Sequence, residues 1–166
     1  MKRRIALDLD GCFADFHKFV KEHTGEPYSP HTSWSSLELV PNLFLHLDVL
    51  PGAKEFFDYI WSFRNEYDIF ILTAIPLPTQ QLLSAVDDKK EWVKLNLSFD
   101  IQVHTVLGGR NKKHWINTKG DILIDDAETN IKEWDKAGGN GILHTGDWEM
   151  TKIKFDILNY LHSSKM

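Results

Sequence analysis

The sequence predicts an α/β protein, a three-layer sandwich in which helices cover both faces of a central parallel sheet. Short runs rich in Ile, Leu and Val without polar alternation are typical of strands buried on both faces. Segments with apolar residues at helical spacing lie between most of these runs. The length of 166 residues, with 42% hydrophobic and 26% charged side chains, fits one folded domain over residues 1–166.

The elements follow one another in the alternating order that this architecture requires. Apolar runs predict strands at residues 4–9, 68–73, 101–106, 121–124 and 141–144. Helices are predicted at 16–22, from 51 onward, and at 87–97, 128–137 and 149–161. Trp92, Val93 and Leu97 are expected to face inward from the helix at 87–97. The last helix carries four apolar residues at the spacing of a packed face, namely Met150, Ile153, Ile157 and Leu161. We expect the domain formed by these elements to have a Rossmann-like fold.

One segment interrupts the alternation. Residues 14–50 contain a short helical piece followed by several Gly, Pro and Ser residues, with Tyr28, Trp34 and Phe44 interleaved. About 35 residues directly after the first strand are too many for a plain connection. We therefore expect a small helical cap inserted in the domain, lying over a site at the end of that strand.

Charge and cysteine content limit the possible partners. The chain has 19 basic and 24 acidic side chains and a net charge of -5, which argues against binding of long nucleic acid. A small anionic substrate held through a metal ion is compatible with this balance. With one cysteine, Cys12, an intrachain disulfide is impossible. No secretory signal or membrane-spanning run is recognisable, so we expect a cytoplasmic protein that does not bind membranes.

Two carboxylates follow the first predicted strand. Asp8 and Asp10 are two residues apart, so on a continuing strand both would point to one face. Ligands of open α/β sheets bind at the carboxyl ends of the strands. Like charges held this closely repel each other, and a divalent cation with oxygen ligands, such as Mg²⁺, would relieve the repulsion.

Other polar residues fall at the same predicted edge of the sheet. Thr73 and Ala74 end the second strand and offer a hydroxyl and free backbone N–H groups. Asp125 and Asp126 end the fourth strand, and a basic stretch, residues 110–113, precedes it. Chance rarely places an acid pair, a hydroxyl, a lysine and a second acid pair in this order.

With these four motifs the sequence resembles the haloacid dehalogenase-type (HAD-like) phosphohydrolases, and within them the 5′(3′)-deoxyribonucleotidases. The closer resemblance depends on five stretches that run from one end of the core to the other: 8–16 (DLDGCFADF), 45–52 (LHLDVLPG), 71–74 (ILTA), 89–93 (KKEWV) and 121–126 (DILIDD). The sequence departs from the family at Cys12, where Val or Thr is usual, and at Ala74, where Ser is common. The resemblance implies that the second departure would remove one phosphate contact.

The resemblance and the residue chemistry together imply a phosphomonoesterase that hydrolyses nucleoside monophosphates. Asp8 would be the nucleophile that forms an aspartyl-phosphate. Asp10 would protonate the leaving oxygen and then take a proton from water. Mg²⁺ would be held by Asp8, the backbone carbonyl of Asp10 and Asp126. Thr73 and the N–H groups near Ala74 would bind phosphate oxygens.

Two choices between neighbouring residues stay open at this point. For the metal ligand we favour Asp126 over Asp125, because the second carboxylate aligns with the aspartate of the common Gly-Asp form of the motif. For the lysine that binds phosphate we favour Lys113 over Lys112, although spacing does not decide. Lys89 and Lys90 are expected to be solvated, with Lys89 also able to reach the phosphate.

Substrate contacts and assembly are further expectations. Phe16 matches a position where the deoxyribonucleotidases place an aromatic ring against the base, and Trp34 would close the pocket from the cap. We expect a small nucleotide as substrate, with deoxyribonucleotides preferred, and a homodimer as the assembly.

Alternative functions make different demands on the sequence. A phosphatase of this type could instead act on a sugar phosphate or on the 3′-phosphate end of a polynucleotide, the latter disfavoured by the acidic charge. A phospho-accepting signalling receiver would carry its acid cluster on the first strand and its acceptor in mid-chain, whereas here the second acid pair comes late. Enzymes that transfer sugars through an Asp-x-Asp metal site are usually longer.

Overall fold

The computed structural model of the chain describes residues 2–75 and 83–164. Its centre is a five-stranded sheet in the order β3-β2-β1-β4-β5, with every neighbouring pair parallel. The strands are β1 (Arg4–Leu7), β2 (Asp68–Ile75), β3 (Gln102–Leu107), β4 (Ile122–Asp125) and β5 (Asn140–Leu143). Because β1 lies at the centre and the chain continues to either side of it, the carboxyl end of β1 is a topological switch point.

Alternate residues of the strands enter two separate hydrophobic clusters, one on each face of the sheet. Ile5 and Leu7 belong to the larger cluster, whereas Ala6 between them belongs to the smaller one. Ile71 and Leu72 of β2 are divided in the same way. This confirms strands buried on both faces, the pattern that the unalternating apolar runs predicted.

Among the described residues, four α-helices cover these faces, α2 (Ala53–Trp61), α3 (Ala85–Asn96), α4 (Glu128–Lys136) and α5 (Trp148–Ser163), and a fifth, α1 (Phe16–Thr24), lies in the segment after β1. Phe57 of α2, Trp92 of α3 and Phe155 of α5 join the larger cluster. Trp134 of α4 joins the smaller cluster on the opposite face. The three-layer α/β sandwich is therefore confirmed, with helix ends within a few residues of those expected.

The segment over residues 14–50 contains α1 and two 3₁₀ turns, Leu37–Leu39 and Leu43–His46. An antiparallel bridge between Ala14 and Val49 closes its base. The indole N–H of Trp92 donates to the carbonyl of Leu47 at 2.8 Å, which ties the segment to α3. Its apolar side chains belong to the same cluster as the sheet, so the segment packs as a cap on the domain.

Helix α5 differs from the expectation drawn from its periodicity. Its buried residues are Thr151 and Phe155, whereas the side chains at the expected packed positions are 46–55% exposed, namely Met150, Ile153, Ile157 and Leu161. The helix is rotated so that Phe155 enters the core. Helical spacing shows which residues share a face, but tertiary packing decides which face is covered. Within the described residues, no helix has the length and apolarity needed to cross a bilayer.

Candidate active site

The strand ends bring the predicted acidic residues to one edge of the sheet. Asp8 comes directly after β1, Thr73 lies near the end of β2, and Asp125 is the last residue of β4. Asp8 is held in place by its backbone N–H, which donates to the carbonyl of Ile124 at 2.9 Å. Since β1 lies between β2 and β4, these side chains surround the carboxyl end of the central strand.

Lys112 connects two of the buried carboxylates. Its ammonium lies 2.5 Å from Asp8 Oδ1 and 2.6 Å from Asp125 Oδ2, and its side chain is 1% exposed. Asp125 also accepts from the backbone N–H of Ala127 at 2.8 Å and from Asn130 Nδ2 at 3.0 Å. Both oxygens of Asp125 are therefore engaged, and one of them fixes the ammonium of Lys112.

The structure does not bring Lys113, the lysine favoured for phosphate binding, to the pocket that Asp8 lines. The Lys113 ammonium pairs with Glu133 Oε2 at 2.6 Å on α4 and lies outside the pocket that contains Asp8. The 3₁₀ helix Gly109–Trp115 turns adjacent side chains in different directions, and Lys112 is its buried residue. Spacing along the sequence could not reveal which of two consecutive lysines points inward.

Lys89 is a second buried lysine, and the expectation that it is solvated is wrong. It is 1% exposed, and its ammonium forms an ion pair with Asp10 Oδ2. The ammonium also donates to Thr73 Oγ1 at 3.0 Å and to the carbonyl of Ala74 at 2.8 Å. A signal for this was present in the sequence, because Lys89 lies three and four residues before Trp92 and Val93, on the same face of α3. Lys90, by contrast, is exposed.

Asp8 and Asp126 approach each other from β1 and β4. Their carboxylate oxygens and the Cys12 sulfur all lie within 4.8 Å of one another. Gly11 permits this approach, since it has a positive φ of 83° and a Cβ there would collide with the Asp126 carboxylate. Burial raises the pKa of the Cys12 thiol well above its usual value, so the sulfur stays protonated. Asp8 and Asp126 therefore offer the carboxylate oxygens of this group, and Mg²⁺ prefers oxygen ligands.

The charges around the pocket do not balance. Four aspartates line it, at positions 8, 10, 125 and 126, against two lysines, at 89 and 112. Burial raises the pKa of the Asp8 carboxyl well above its usual value, and the charge of Asp125 raises it further while Lys112 lowers it. Burial alone would lower the pKa of Lys112, but Asp8 and Asp125 outweigh burial and raise it. A divalent cation would offset the excess negative charge.

Asp10 has one oxygen in use and one available. Oδ2 accepts from Lys89, whereas Oδ1 is buried without a hydrogen-bond partner among the described residues. A buried unpartnered carboxylate oxygen is costly unless another group pairs with it. Its presence is consistent with a site that receives a proton donor or acceptor from the substrate.

The cap supplies an aromatic wall to the same pocket, which encloses about 460 Å³. Phe16 stacks against Trp34 and Phe44, with ring centroids 5.8 Å and 6.0 Å away, and meets Tyr28 edge-on at 5.2 Å. These four rings define the aromatic wall. The structure thus places both predicted substrate-contact residues, Phe16 and Trp34, in the pocket that Asp8 lines.

Two further pocket residues with polar side chains were not expected from the sequence. His17 Nε2 lies 3.7 Å from Asp126 Oδ2, and this contact raises the pKa of the imidazole. Asn130, on the first turn of α4, orients Asp125. His17 directly follows Phe16, and Asn130 lies four residues after Asp126. Neither residue belongs to a motif that could have identified it from the sequence.

Comparison with known proteins identifies the family. The sequence model described as "5' nucleotidase, deoxy (Pyrimidine), cytosolic type C protein" matches residues 2–151. No protein with a curated description matches the sequence.

The chain is also similar to several solved structures. A HAD family enzyme from Bacteroides thetaiotaomicron, in complex with magnesium and inorganic phosphate, has a TM-score of 0.50 at 15% identity, over 89% of this chain and 98% of that one. D,D-heptose 1,7-bisphosphate phosphatase from B. bronchiseptica, with magnesium and phosphate, has a TM-score of 0.48 at 16% identity, over 86% and 80%. A hydrolase from Streptococcus pneumoniae has a TM-score of 0.48 at 13% identity, over 92% and 98%.

The family match covers most of the chain and includes every acidic and basic residue of the pocket. The sheet order, the acid pairs at two adjacent strand ends and the inserted cap agree with the family that the motifs predicted. The chain therefore belongs to this 5′-nucleotidase family of HAD-like hydrolases and is a phosphoric monoester hydrolase.

Proposed function

We propose that the protein is a magnesium-dependent deoxyribonucleotidase that hydrolyses deoxyribonucleoside monophosphates to nucleoside and phosphate. The observation that carries this proposal is that the acidic centre and the aromatic wall line one pocket. The acidic centre, formed by Asp8, Asp10 and Asp126, would provide the chemistry of phosphate transfer. The aromatic wall would provide a surface for the base of the nucleotide. The family's description also supports a cytosolic enzyme acting on pyrimidine deoxynucleotides.

Asp8 is the proposed nucleophile. One of its oxygens is held by Lys112, which fixes the direction of the carboxylate and keeps a positive charge beside it. Attack on phosphorus forms an O–P bond to Asp8 and breaks the bond to the nucleoside oxygen. Hydrolysis of the aspartyl-phosphate then releases phosphate and restores the carboxylate.

Asp10 is the proposed general acid and base. Its unpartnered Oδ1 can deliver a proton to the departing nucleoside oxygen. In the second step the same oxygen can accept a proton from the attacking water. Lys89, bound to the other oxygen, restricts the carboxylate to one orientation.

Asp8 and Asp126 are the proposed side-chain ligands of Mg²⁺, and the Asp10 carbonyl remains a predicted third ligand. When bound, the ion supplies positive charge that offsets repulsion between the substrate phosphate and the carboxylates. Asp125 holds Lys112 and does not serve as a ligand in this proposal, because both of its oxygens are already engaged.

Phosphate oxygens would be bound by the two buried lysines and by groups at the end of β2. Lys89 sits against Thr73 and Ala74, so its ammonium and the Thr73 hydroxyl would act together. Lys112 would neutralise charge that builds up beside Asp8. Lys113 has no part in this proposal.

The aromatic wall is the proposed base-binding surface and the origin of selectivity for deoxyribose. The rings stack on one another within the cap and offer apolar surface to a ligand. A ribose 2′-hydroxyl buried against this surface would lose its hydrogen bonds to water. That loss costs about 1–3 kcal/mol, or roughly five- to two-hundredfold in rate.

Steady-state kinetics with dTMP, dUMP and UMP tests the proposal directly. We expect kcat/KM for the deoxyribonucleotides to exceed that for UMP within the range above, and activity to disappear when EDTA removes Mg²⁺. Sugar phosphates and an oligonucleotide with a 3′-phosphate are the comparison substrates. A clear preference for either of these, or equal rates for dUMP and UMP, would contradict the deoxyribonucleotidase while leaving the phosphatase chemistry intact.

A further inference from the structure

Helix α5 presents a row of large apolar side chains to solvent. Met150, Ile153, Ile157 and Tyr160 are 46%, 50%, 55% and 72% exposed, and Leu161 beside them is 50% exposed. We call these five residues the α5 stripe. Met150, Ile153, Ile157 and Tyr160 follow one another at intervals of three, four and three residues, which is the spacing of a helix seam that pairs with another helix. A different face of α5, which carries Thr151 and Phe155, is buried in the protein.

Four of the five residues of the α5 stripe are placed symmetrically about the middle of the helix. Met150 and Tyr160 lie five residues to either side of Phe155, and Ile153 and Ile157 lie two residues to either side. If a second α5 lies antiparallel across the stripe, Ile153 faces Ile157 of the other copy and Met150 faces its Tyr160. A surface that matches itself under a two-fold rotation is the property that an isologous interface requires.

The exposed area of the α5 stripe is large enough for an interface between two copies of the chain. Five side chains exposed to this degree present on the order of 500 Å² per copy, so two copies would bury about 1,000 Å². That is the lower limit for a specific interface, before any flanking contacts are included. A contiguous apolar patch of this size is also at the upper end of what monomers display.

Charge does not oppose the association. The chain as a whole has a net charge of -5, yet α5 carries Glu149 and Asp156 against Lys152 and Lys154. The helix is therefore locally neutral apart from its histidine. The stripe itself contains no ionisable group other than the Tyr160 phenol, so no buried charge would need a partner.

We propose that a second copy of this chain covers the α5 stripe, with the two α5 helices antiparallel about a two-fold axis near Phe155. The proposal is independent of the substrate and specifies the surface of the predicted homodimer. The carboxyl-end pockets stay open, because the stripe residues do not line them.

Sedimentation velocity of the full chain over a range of concentrations tests the proposal. Wild type is expected to reach twice the monomer mass of 19.2 kDa as concentration rises. Ile153→Glu and Ile157→Lys should each weaken association at least about a hundredfold, because each substitution places two charges in the dimer seam. Both changes in one chain should restore association at least about tenfold relative to either alone, since each new Glu would face a new Lys of the partner.

Leu95→Glu is the matched control, because Leu95 is 66% exposed on α3 and lies outside the stripe. It should leave the association constant unchanged, and circular dichroism and phosphatase activity should show that every variant is folded. A wild type that stays monomeric at the highest concentration overturns the proposal. So does binding of a monomeric wild type to phosphatidylglycerol vesicles, which would assign the stripe to a lipid surface. Failure of the double variant to restore association overturns the antiparallel register.

Discussion

At the scale of single residues, Lys112 and Lys113 are adjacent in sequence but differ in surroundings. Lys112 bonds Asp8 and Asp125 in the interior, whereas Lys113 pairs with Glu133 near the surface. We expect Lys112→Met to lower kcat/KM by about 10²–10³, because a positive charge beside the transferring phosphoryl group is lost. The kcat/KM of Lys113→Met should stay within about twofold of the wild-type value, because only a partly exposed ion pair is lost.

The measurement is steady-state hydrolysis of dTMP by the two variants at a temperature where both are folded. Lys112→Met leaves two buried carboxylates without their cation, so its melting temperature must be recorded alongside its activity. A larger loss of activity for Lys113→Met than for Lys112→Met would show that the phosphate-binding lysine has been assigned to the wrong residue.

Lys89 and Lys90 form a second matched pair. Lys89 donates to Thr73 and Ala74 at the end of β2, and Lys90 is exposed. Lys89→Met should weaken competitive inhibition by inorganic phosphate by about tenfold or more, because it removes a charged donor from the phosphate-binding end of the pocket. Lys90→Met should leave the inhibition constant unchanged. Equal inhibition constants for the two variants would remove Lys89 from the proposed phosphate site.

At the scale of elements, the amphipathic patterns predicted where the helices lie. They did not fully predict which face of each helix is buried or which side chains that face carries into the site. The face of α3 that carries Trp92 and Val93 is buried as expected, and it also carries Lys89 into the site. A lysine in that register looks like an interruption of the apolar pattern unless the carboxylate that receives it is known. In α5, the apolar spacing marks the exposed α5 stripe, because Phe155 provides the core contact.

The junction of β5 and α5 contains a buried histidine that predicts a pH dependence of stability. His144 is 4% exposed, its Nδ1 lies 2.8 Å from Thr151 Oγ1, and its ring stacks on Trp148. Burial lowers the pKa of His144 below its ordinary value of 6.5. The unfolded chain therefore binds this proton more readily than the folded protein does. The contribution of neutral His144 is fully present above about pH 6.5 and is lost as pH falls below it.

Urea denaturation at about pH 7.5 and pH 5.5 measures this contribution. The free energy of unfolding of wild type should fall between the two pH values by more than that of His144→Gln. His114→Gln, a change at an exposed histidine, should show the same fall as wild type. A His144→Gln protein with an undiminished pH dependence would show that His144 does not carry the effect.

At the scale of the whole molecule, the sequence was sufficient to predict the sheet, its parallel strands and the edge where the acidic residues meet. This was possible because buried parallel strands leave a strong apolar signal and each acid pair directly follows such a strand. The direction of Lys112 and Lys89 and the exposure of the α5 stripe could not be predicted, since each depends on contacts between elements distant in sequence. The single-domain organisation and the homodimer stay predictions.

The central claim is that Asp8 attacks phosphorus, and turnover of the Asp8→Asn variant tests it most directly. Asparagine keeps the size of the side chain and can still accept from Lys112, but it lacks the nucleophilic carboxylate and a metal ligand. With dTMP and saturating Mg²⁺, we predict that kcat falls at least about a hundredfold. Asp100→Asn, a change at an exposed residue, should retain wild-type turnover. An Asp8→Asn enzyme that is folded and keeps more than about a hundredth of wild-type turnover would contradict nucleophilic catalysis by Asp8.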